Sequence, residues 1–268
     1  MSSKPKLGQN FLHEAQAVQR IVAALGDCSA QTVVEIGPGR GAVTRALASR
    51  AQHVVAVELD PELVAKLREE FPPERVTVVN QDVLEFDFVA AADKAGHRVA
   101  VIGNLPYYIT SPILLKLAAN HAVVDRAVLM MQREVAERVA AQPESRDYGL
   151  LSVTVQLYGP VLKLFTLPPG AFVPPPKVYS TVIRWQFEPK FTRLQVREAD
   201  FFAFLRKAFA QKRKTLANNL RAAGMSPASI AGAFDLVGVN PQARAESLQI
   251  ETFAALWNEL RVVDAKTE

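Results

Sequence analysis

Thr32-Val33-Val34-Glu35-Ile36-Gly37-Pro38-Gly39-Arg40-Gly41-Ala42 begins as an apolar run, passes through a glycine-rich turn, and enters a segment, Ala42 to Arg50, whose apolar residues recur at helical spacing. The run reads as a strand buried on both faces. The glycines read as a strand-to-helix turn where backbone can approach a ligand and aim its amide groups at it. This is not the dinucleotide fingerprint, because Gly41 follows Gly39 by two residues and not by three. Taken alone, such a turn is also compatible with a purely structural bend. The repetition around it decides the fold. Val54 to Glu58, Val76 to Asn80, Val99 to Gly103 and Ala127 to Met131 are further short runs rich in Val, Ile and Leu. Helix-length segments lie between them, such as Pro61 to Glu70, which Asp60 can cap and Pro61 can open. Strands alternating with helices imply an α/β fold whose mostly parallel sheet is built from right-handed crossovers.

Beyond the fifth run, Val153 to Tyr158 and Val178 to Phe187 alternate apolar and polar residues and read as the last strands of the sheet. The proline-dense Leu167 to Pro176 between them reads as a stiff, extended connection. From Ala199 onward no strand is expected: Phe201 to Phe209, Ile230 to Phe234 and Phe253 to Leu260 read as amphipathic helices. Pro189 interrupts the pattern, which divides the chain into residues 1–188 and a small all-helical domain, 189–268.

A chain of 268 residues with 49% apolar composition builds a real core, which excludes a disordered or fibrous protein. Met1 to Gln9 is polar and basic, and no run reaches the ~18 apolar residues a membrane span requires, so a cytoplasmic protein with no membrane partner is expected. Cys28 is the only cysteine, and His13, His53, His97 and His121 fall at no metal or triad spacing; no metal is expected. With no P-loop and no nucleophile elbow, the ligand itself should carry the reactive group.

Glu58 ends the second strand about twenty residues beyond the glycines, where a carboxylate can accept both hydroxyls of a ribose. The third strand runs into Asn80-Gln81-Asp82-Val83, which puts a second carboxylate at the next tip. Asp82 can accept from the exocyclic amino group of an adenine flanked by Leu59 and Val83; in isolation it would read as a helix cap. The fourth strand leads into Asn104-Leu105-Pro106-Tyr107-Tyr108, an amide, a rigid turn and an aromatic face suited to the amino group of an extra-helical base. All these residues lie at the carboxyl ends of parallel strands, where open α/β sheets bind ligands. The net charge of +4 is unevenly placed. Lys177 to Arg221 holds eleven Lys and Arg against three Asp and Glu, so the remainder carries −4. Phosphates are expected over Arg206, Lys207, Lys212, Arg213, Lys214 and Arg221.

Gly8-Gln9-Asn10-Phe11-Leu12, Glu35 to Gly41 with Thr44, Val57 to Asp60, Asp82, Asn104 to Pro112 and Phe172 to Ser180 resemble the ribosomal RNA adenine dimethyltransferases, most closely the small-subunit (16S) type. The resemblance continues through Met131 to Ala136, Tyr148-Gly149 with Leu151 to Val153, and Arg213 to Leu216, and covers nearly the whole chain. It implies a Rossmann-like sheet that binds S-adenosylmethionine through Gln9, Asn10 and Leu12, the turn at Gly37 and Gly39, Glu58 with Leu59, Asp82 with Val83, and Asn104. It also implies that Asn104, Leu105, Pro106 and Tyr107 grip the target adenine while Phe172 closes over its other face, with the Asn104 oxygen and the Leu105 or Pro106 carbonyl accepting from N6. The partner implied is ribosomal RNA within a pre-30S particle, bound by a monomer through its helical domain. Tyr108 stands where many relatives carry Asn, and Arg40 occupies a variable place in the turn. Three other readings compete: a sister methylase of large-subunit RNA that confers antibiotic resistance, a DNA adenine methylase, and an assembly factor acting mainly by binding. Gln211 to Leu220 and Glu246 to Leu260 resemble the small-subunit type, and no separate DNA target-recognition domain is evident.

Overall fold

The computed structural model describes residues 9–264; residues 1–8, Gly8 of the amino-terminal motif among them, and 265–268 lie outside the described residues. The chain opens with a two-residue strand, β1 (Phe11–Leu12), and a helix, α1 (Ala15–Ala24). Alternation then follows as β2 (Thr32–Ile36), α2 (Ala42–Ala48), β3 (His53–Glu58), α3 (Pro61–Glu70), β4 (Val76–Asn80), α4 (Phe88–Ala95), β5 (Val99–Asn104), α5 (Thr110–Ala119) and β6 (Val124–Gln132). Next come α6 (Arg133–Val139), α7 (Leu150–Leu157), β7 (Val161–Leu167), β8 (Phe172–Val173) and β9 (Ser180–Gln186). The remaining elements are helical: α8 (Phe191–Leu194), α9 (Glu198–Ala208), α10 (Leu216–Ala222), α11 (Pro227–Val237) and α12 (Ile250–Asp264).

The sheet runs β4-β3-β2-β5-β6-β9-β7. Its first five strands are parallel and β9 lies antiparallel to both β6 and β7. β2 and β5 are buried on both faces until the last residue of β5, as continuous Val/Ile runs require. Because β3 and β4 are added on one side of β2 and β5 and β6 on the other, the strand order reverses between β2 and β5. A crevice opens at such a switch point. Local chemistry agrees with the elements: the Asp60 side chain accepts from the Glu62 N–H at 2.9 Å to start α3, and Asp87 does the same for Ala90 in α4.

Two expectations are corrected. Val153 to Tyr158 is not a strand but the body of α7, and the strand of that region is β7, which follows it. An alternating run this short fits either period. Here the Ser152 hydroxyl settles the helix by accepting from the Gly149 N–H (3.1 Å) and donating to the Arg138 carbonyl (2.6 Å). Leu167 to Pro176 is likewise not a bare connection, since β8 pairs with β1 in a separate antiparallel ribbon.

The described chain forms two compact units, one made of the residues up to Ala136 with Pro160–Glu188, the other of Glu137–Gly159 with the residues from Pro189. The second unit therefore takes in a segment that the sequence reading placed in the first. Aromatic packing accounts for this. Tyr148 lies 6.4 Å from Phe209, and Tyr158 lies 5.2 Å from Phe191 and 5.9 Å from Phe202, within a core that also holds Phe204 and Phe253. Among the described residues no helix is long and apolar enough to cross a membrane.

Gly103 in β5 is opposite Ile36 of β2, and a Cβ there would stand 2.8 Å from the Ile36 carbonyl oxygen and 2.9 Å from its Cβ. Backbone cannot give way inside a ladder, so Gly103→Ala is expected to destabilise the protein by about 1–3 kcal/mol. Urea denaturation checks this; an unshifted midpoint contradicts the packing described.

Candidate active site

The cleft lies in the first unit, where β2, β3, β4 and β5 end side by side: Ile36 is opposite both Val57 and Gly103, and Glu58 is opposite Asn80. After β2 the chain turns through Gly37 and Gly39, both with positive φ. A Cβ at Gly39 would come within 2.9 Å of the Phe11 ring, so this glycine allows the amino-terminal strand to lie directly on the turn. The Arg40 guanidinium covers the Phe11 ring at 4.5 Å. Gln9, Asn10, Phe11 and Leu12 line the cleft from that side.

Glu58 is buried at the tip of β3, where its Oε1 accepts from the Leu59 and Asp60 N–H groups (2.9 and 3.0 Å) and its Oε2 from the Gly39 N–H (3.1 Å). Of about four acceptor sites on a carboxylate, one on Oε2 is left for a ligand, where the sequence reading allotted both ribose hydroxyls. At the next tip, Asp82 accepts from the Leu84 N–H at 2.9 Å through Oδ1. Its turn-closing duty is therefore real; Oδ2 takes no hydrogen bond among the described residues, and Asp82 lines the cleft with Gln81 and Val83. The Asn80 amide donates to the Glu58 and Leu59 carbonyls (3.0 and 3.1 Å), tying the two tips together. Leu59 and Val83 both line the cleft.

At the end of β5 the Asn104 side-chain N–H donates to the Asn10 carbonyl at 3.1 Å, which turns its Oδ1 into the free acceptor. Leu105 is buried and its N–H donates to Met130 (2.9 Å), while its carbonyl takes no hydrogen bond among the described residues. The Pro106 carbonyl, offered by the sequence reading as an alternative acceptor, is engaged by the Ile109 N–H (3.2 Å) and the Thr110 hydroxyl (3.1 Å), because the chain turns straight into α5. Tyr107 lines the cleft and its hydroxyl is hydrogen-bonded to Ser180 Oγ at 2.9 Å. Phe172 is the residue that the structure does not bring to the cleft. It is 2% exposed and packs in the core with Leu12, Ile21, Leu167 and Val182, because its pairing with Leu12 in the β1–β8 ribbon turns it inward.

Sequence reading gave no role to Glu35, which lines the cleft from within β2. The signal was present, a lone carboxylate in an otherwise Val/Ile strand. It is 2% exposed and accepts from the Thr44 hydroxyl at 2.6 Å. Burial, and to a lesser degree the neighbouring Glu58 charge, push its carboxyl up to about 7 against the opposing effect of the Thr44 hydrogen bond.

In the second unit Arg206, Lys207, Lys212, Arg213, Lys214 and Arg221 are all exposed, and among the described residues none of the six pairs with a carboxylate. Three of them sit in the turn between α9 and α10. That turn is held from beneath by buried Asn219, whose amide donates to the Ala208 and Gln211 carbonyls (2.8 and 3.2 Å). Among the described residues no group of three or more His, Cys, Asp or Glu is placed to hold a metal ion.

A family model described as ribosomal RNA adenine dimethylase matches residues 1–261. The chain is 58% identical to ribosomal RNA small subunit methyltransferase A of Acidobacterium capsulatum, over 96% of this chain and 91% of that protein. It is 51% identical to the protein of the same name from Koribacter versatilis, over 97% and 95%. Among solved structures, a dimethyladenosine transferase from Plasmodium falciparum has the same fold, with a TM-score of 0.78 at 23% identity over 94% of this chain and 98% of that one. The 23S rRNA methyltransferase ErmE gives 0.73 at 26% identity, over 94% and 100%.

The buried Glu35 carboxyl generates a test of pH dependence. Its folded pKa lies above the ordinary 4.5, so folding favours the protonated form, and stability declines as pH rises from about 4.5 through about 7. Glu35→Gln removes that dependence. At pH 8 the variant is expected to be more stable by up to about 3 kcal/mol, with little difference at pH 4.5; urea midpoints at the two pH values check it.

Proposed function

Since the chain belongs to the ribosomal RNA adenine dimethylase family, we propose that it transfers methyl groups from S-adenosylmethionine to N6 of adenines in small-subunit (16S) ribosomal RNA, giving N6,N6-dimethyladenosine in the cytoplasm while the subunit is being assembled. The observation that carries the reading is the orientation of the Asn104 amide. Its nitrogen is committed to the Asn10 carbonyl, so its oxygen and the open Leu105 carbonyl form a pair of acceptors at one strand tip. Two acceptors match the two hydrogens of an exocyclic amine. The small-subunit relatives, at 58 and 51% identity, support that substrate over large-subunit RNA, for which the likeness is to a structure at 26%.

The residues at the neighbouring tips fit an adenosyl cofactor. A side chain on Gly37 would project between the tips of β2 and β5, with its Cβ 3.7 Å from the Asn104 carbonyl, so the absent side chain leaves the cradle open. Oε2 of Glu58 would take a ribose hydroxyl and Oδ2 of Asp82 the adenine amino group, with Leu59 and Val83 against the ring. Gln9, Asn10, Leu12, Gly39 and Asn104 would hold the remainder. When bound, S-adenosylmethionine supplies a methyl group already activated by its positive sulfur.

The protein's own task is positioning. The N6 lone pair of adenine is delocalised into the ring, which makes it a poor nucleophile. Accepting both N6 hydrogens on Asn104 Oδ1 and the Leu105 carbonyl draws that nitrogen out of conjugation and aims its lone pair across the cleft. Tyr107, fixed by Ser180, offers a face for the base to stack on. No strong general base is required, because the nitrogen becomes cationic on methylation and then loses its proton readily. After the first transfer one N–H remains, and one of the two acceptors is enough to orient it. The target adenine must be unstacked, which favours single-stranded or loop RNA. The six exposed cations of the second unit would neutralise its phosphates.

Asn104→Ala removes an acceptor without touching the cofactor carboxylates and is expected to lower kcat about a hundredfold or more; near-normal turnover in methyl transfer would sink the assignment. Replacing Lys212, Arg213 and Lys214 with Glu is expected to weaken RNA binding and flatten its salt dependence while cofactor affinity stays put. Titration of RNA at several salt concentrations checks this. The deciding assay sets immature small subunits, mature small subunits and large-subunit RNA side by side as methyl acceptors, and only the first is expected to be labelled efficiently.

A further inference from the structure

The chain has five tyrosines, and their placement is uneven. Tyr148 and Tyr158 are buried, whereas Tyr107, Tyr108 and Tyr179 gather around one hydrogen bond. That bond joins the Tyr107 hydroxyl to Ser180 at 2.9 Å; Tyr108 is the residue after one partner and Tyr179 the residue before the other. Both outer rings are open, Tyr108 by 63% and Tyr179 by 47%. Tyr108 lines the cleft mouth, and its hydroxyl makes no hydrogen bond among the described residues. Tyr179 is held differently. Its carbonyl accepts from the Arg133 N–H at 3.0 Å, and the Arg133 guanidinium lies over its ring at 5.4 Å, so the ring is braced and a positive charge stands beside it.

An adenine drawn into the cleft remains attached to its two neighbours in the strand, whose bases have lost a stacking partner and arrive at the mouth exposed. We infer that Tyr108 and the Arg133-braced Tyr179 are stacking platforms for the nucleotides on either side of the target adenine. Exposed rings in a strand's path are the usual means of holding single-stranded nucleic acid without reading its sequence. The platforms would help to hold the target out of the stack.

The inference rests on the proposed RNA adenine dimethyltransferase activity. Its test compares Tyr108→Leu and Tyr179→Leu with Tyr108→Phe and Tyr179→Phe in the full chain, measuring methyl transfer to immature small subunits together with equilibrium binding of S-adenosylmethionine. Each leucine variant is expected to raise KM for the RNA about tenfold and the double variant about a hundredfold, with a smaller change in kcat and unaltered cofactor affinity. Phenylalanine, which keeps the ring, is expected to restore KM. An unchanged KM in the leucine variants overturns the inference. So does a phenylalanine variant as impaired as leucine, or a parallel loss of cofactor binding. A wild-type protein that methylates none of the acceptors defeats the functional reading instead, and the platforms fall with it.

Discussion

Parallel strands ending level are the constraint on which the cleft depends. β2, β3, β4 and β5 share a register that brings Gly37, Glu58, Asp82 and Asn104 to one edge, although they are spread over nearly seventy residues of chain. The tips are then tied sideways: Glu58 to the Gly39 N–H, Asn80 to the Glu58 carbonyl, Asn104 to the Asn10 carbonyl. None of these bonds lies within a helix or between sheet backbones, yet each fixes a group that faces the cleft. Rigidity at the site is thus a property of side chains bonding to neighbouring turns.

The two buried carboxylates, on adjacent strands, show how differently the same group can be used. Glu58 is surrounded by backbone N–H donors that hold its charge in place. Glu35, buried in an apolar strand, has one hydroxyl as its hydrogen-bond donor, so burial pushes its carboxyl up to about 7 and favours the neutral form below that pH.

Much of this was legible in the sequence, for identifiable reasons. Strands buried on both faces announce themselves as unbroken Val/Ile runs, and Thr32–Ile36 and Val76–Asn80 were readable to the residue. The spacing from the glycine turn to Glu58 and Asp82 placed them at neighbouring tips because right-handed crossovers leave few alternatives. What escaped reading depends on distant partners. The helix at Leu150–Leu157 is fixed by the bond from Ser152 to the Arg138 carbonyl in another helix, and the allegiance of Glu137–Gly159 follows from aromatic contacts with residues far along the chain, such as Tyr148 with Phe209. The inward turn of Phe172 follows from a pairing with Leu12 across about 160 residues, and the use of the Pro106 carbonyl depends on where α5 happens to begin. Local pattern carries no information about the pairings that span the chain.

The turn between α9 and α10 shows a division of labour. Its shape comes from Asn219, a neutral side chain buried beneath it, and from the Lys214 backbone N–H on the Gln211 carbonyl (3.1 Å), while among the described residues the side chains of Arg213 and Lys214 make no hydrogen bond and that of Lys212 leaves the turn for the Arg146 carbonyl (3.2 Å). Architecture and electrostatics are therefore written in different groups. The side-chain charge of Arg213 and Lys214 can change by substitution, retuning the electrostatic pull of this surface at a given ionic strength, while Asn219 and the backbone keep the loop that displays it.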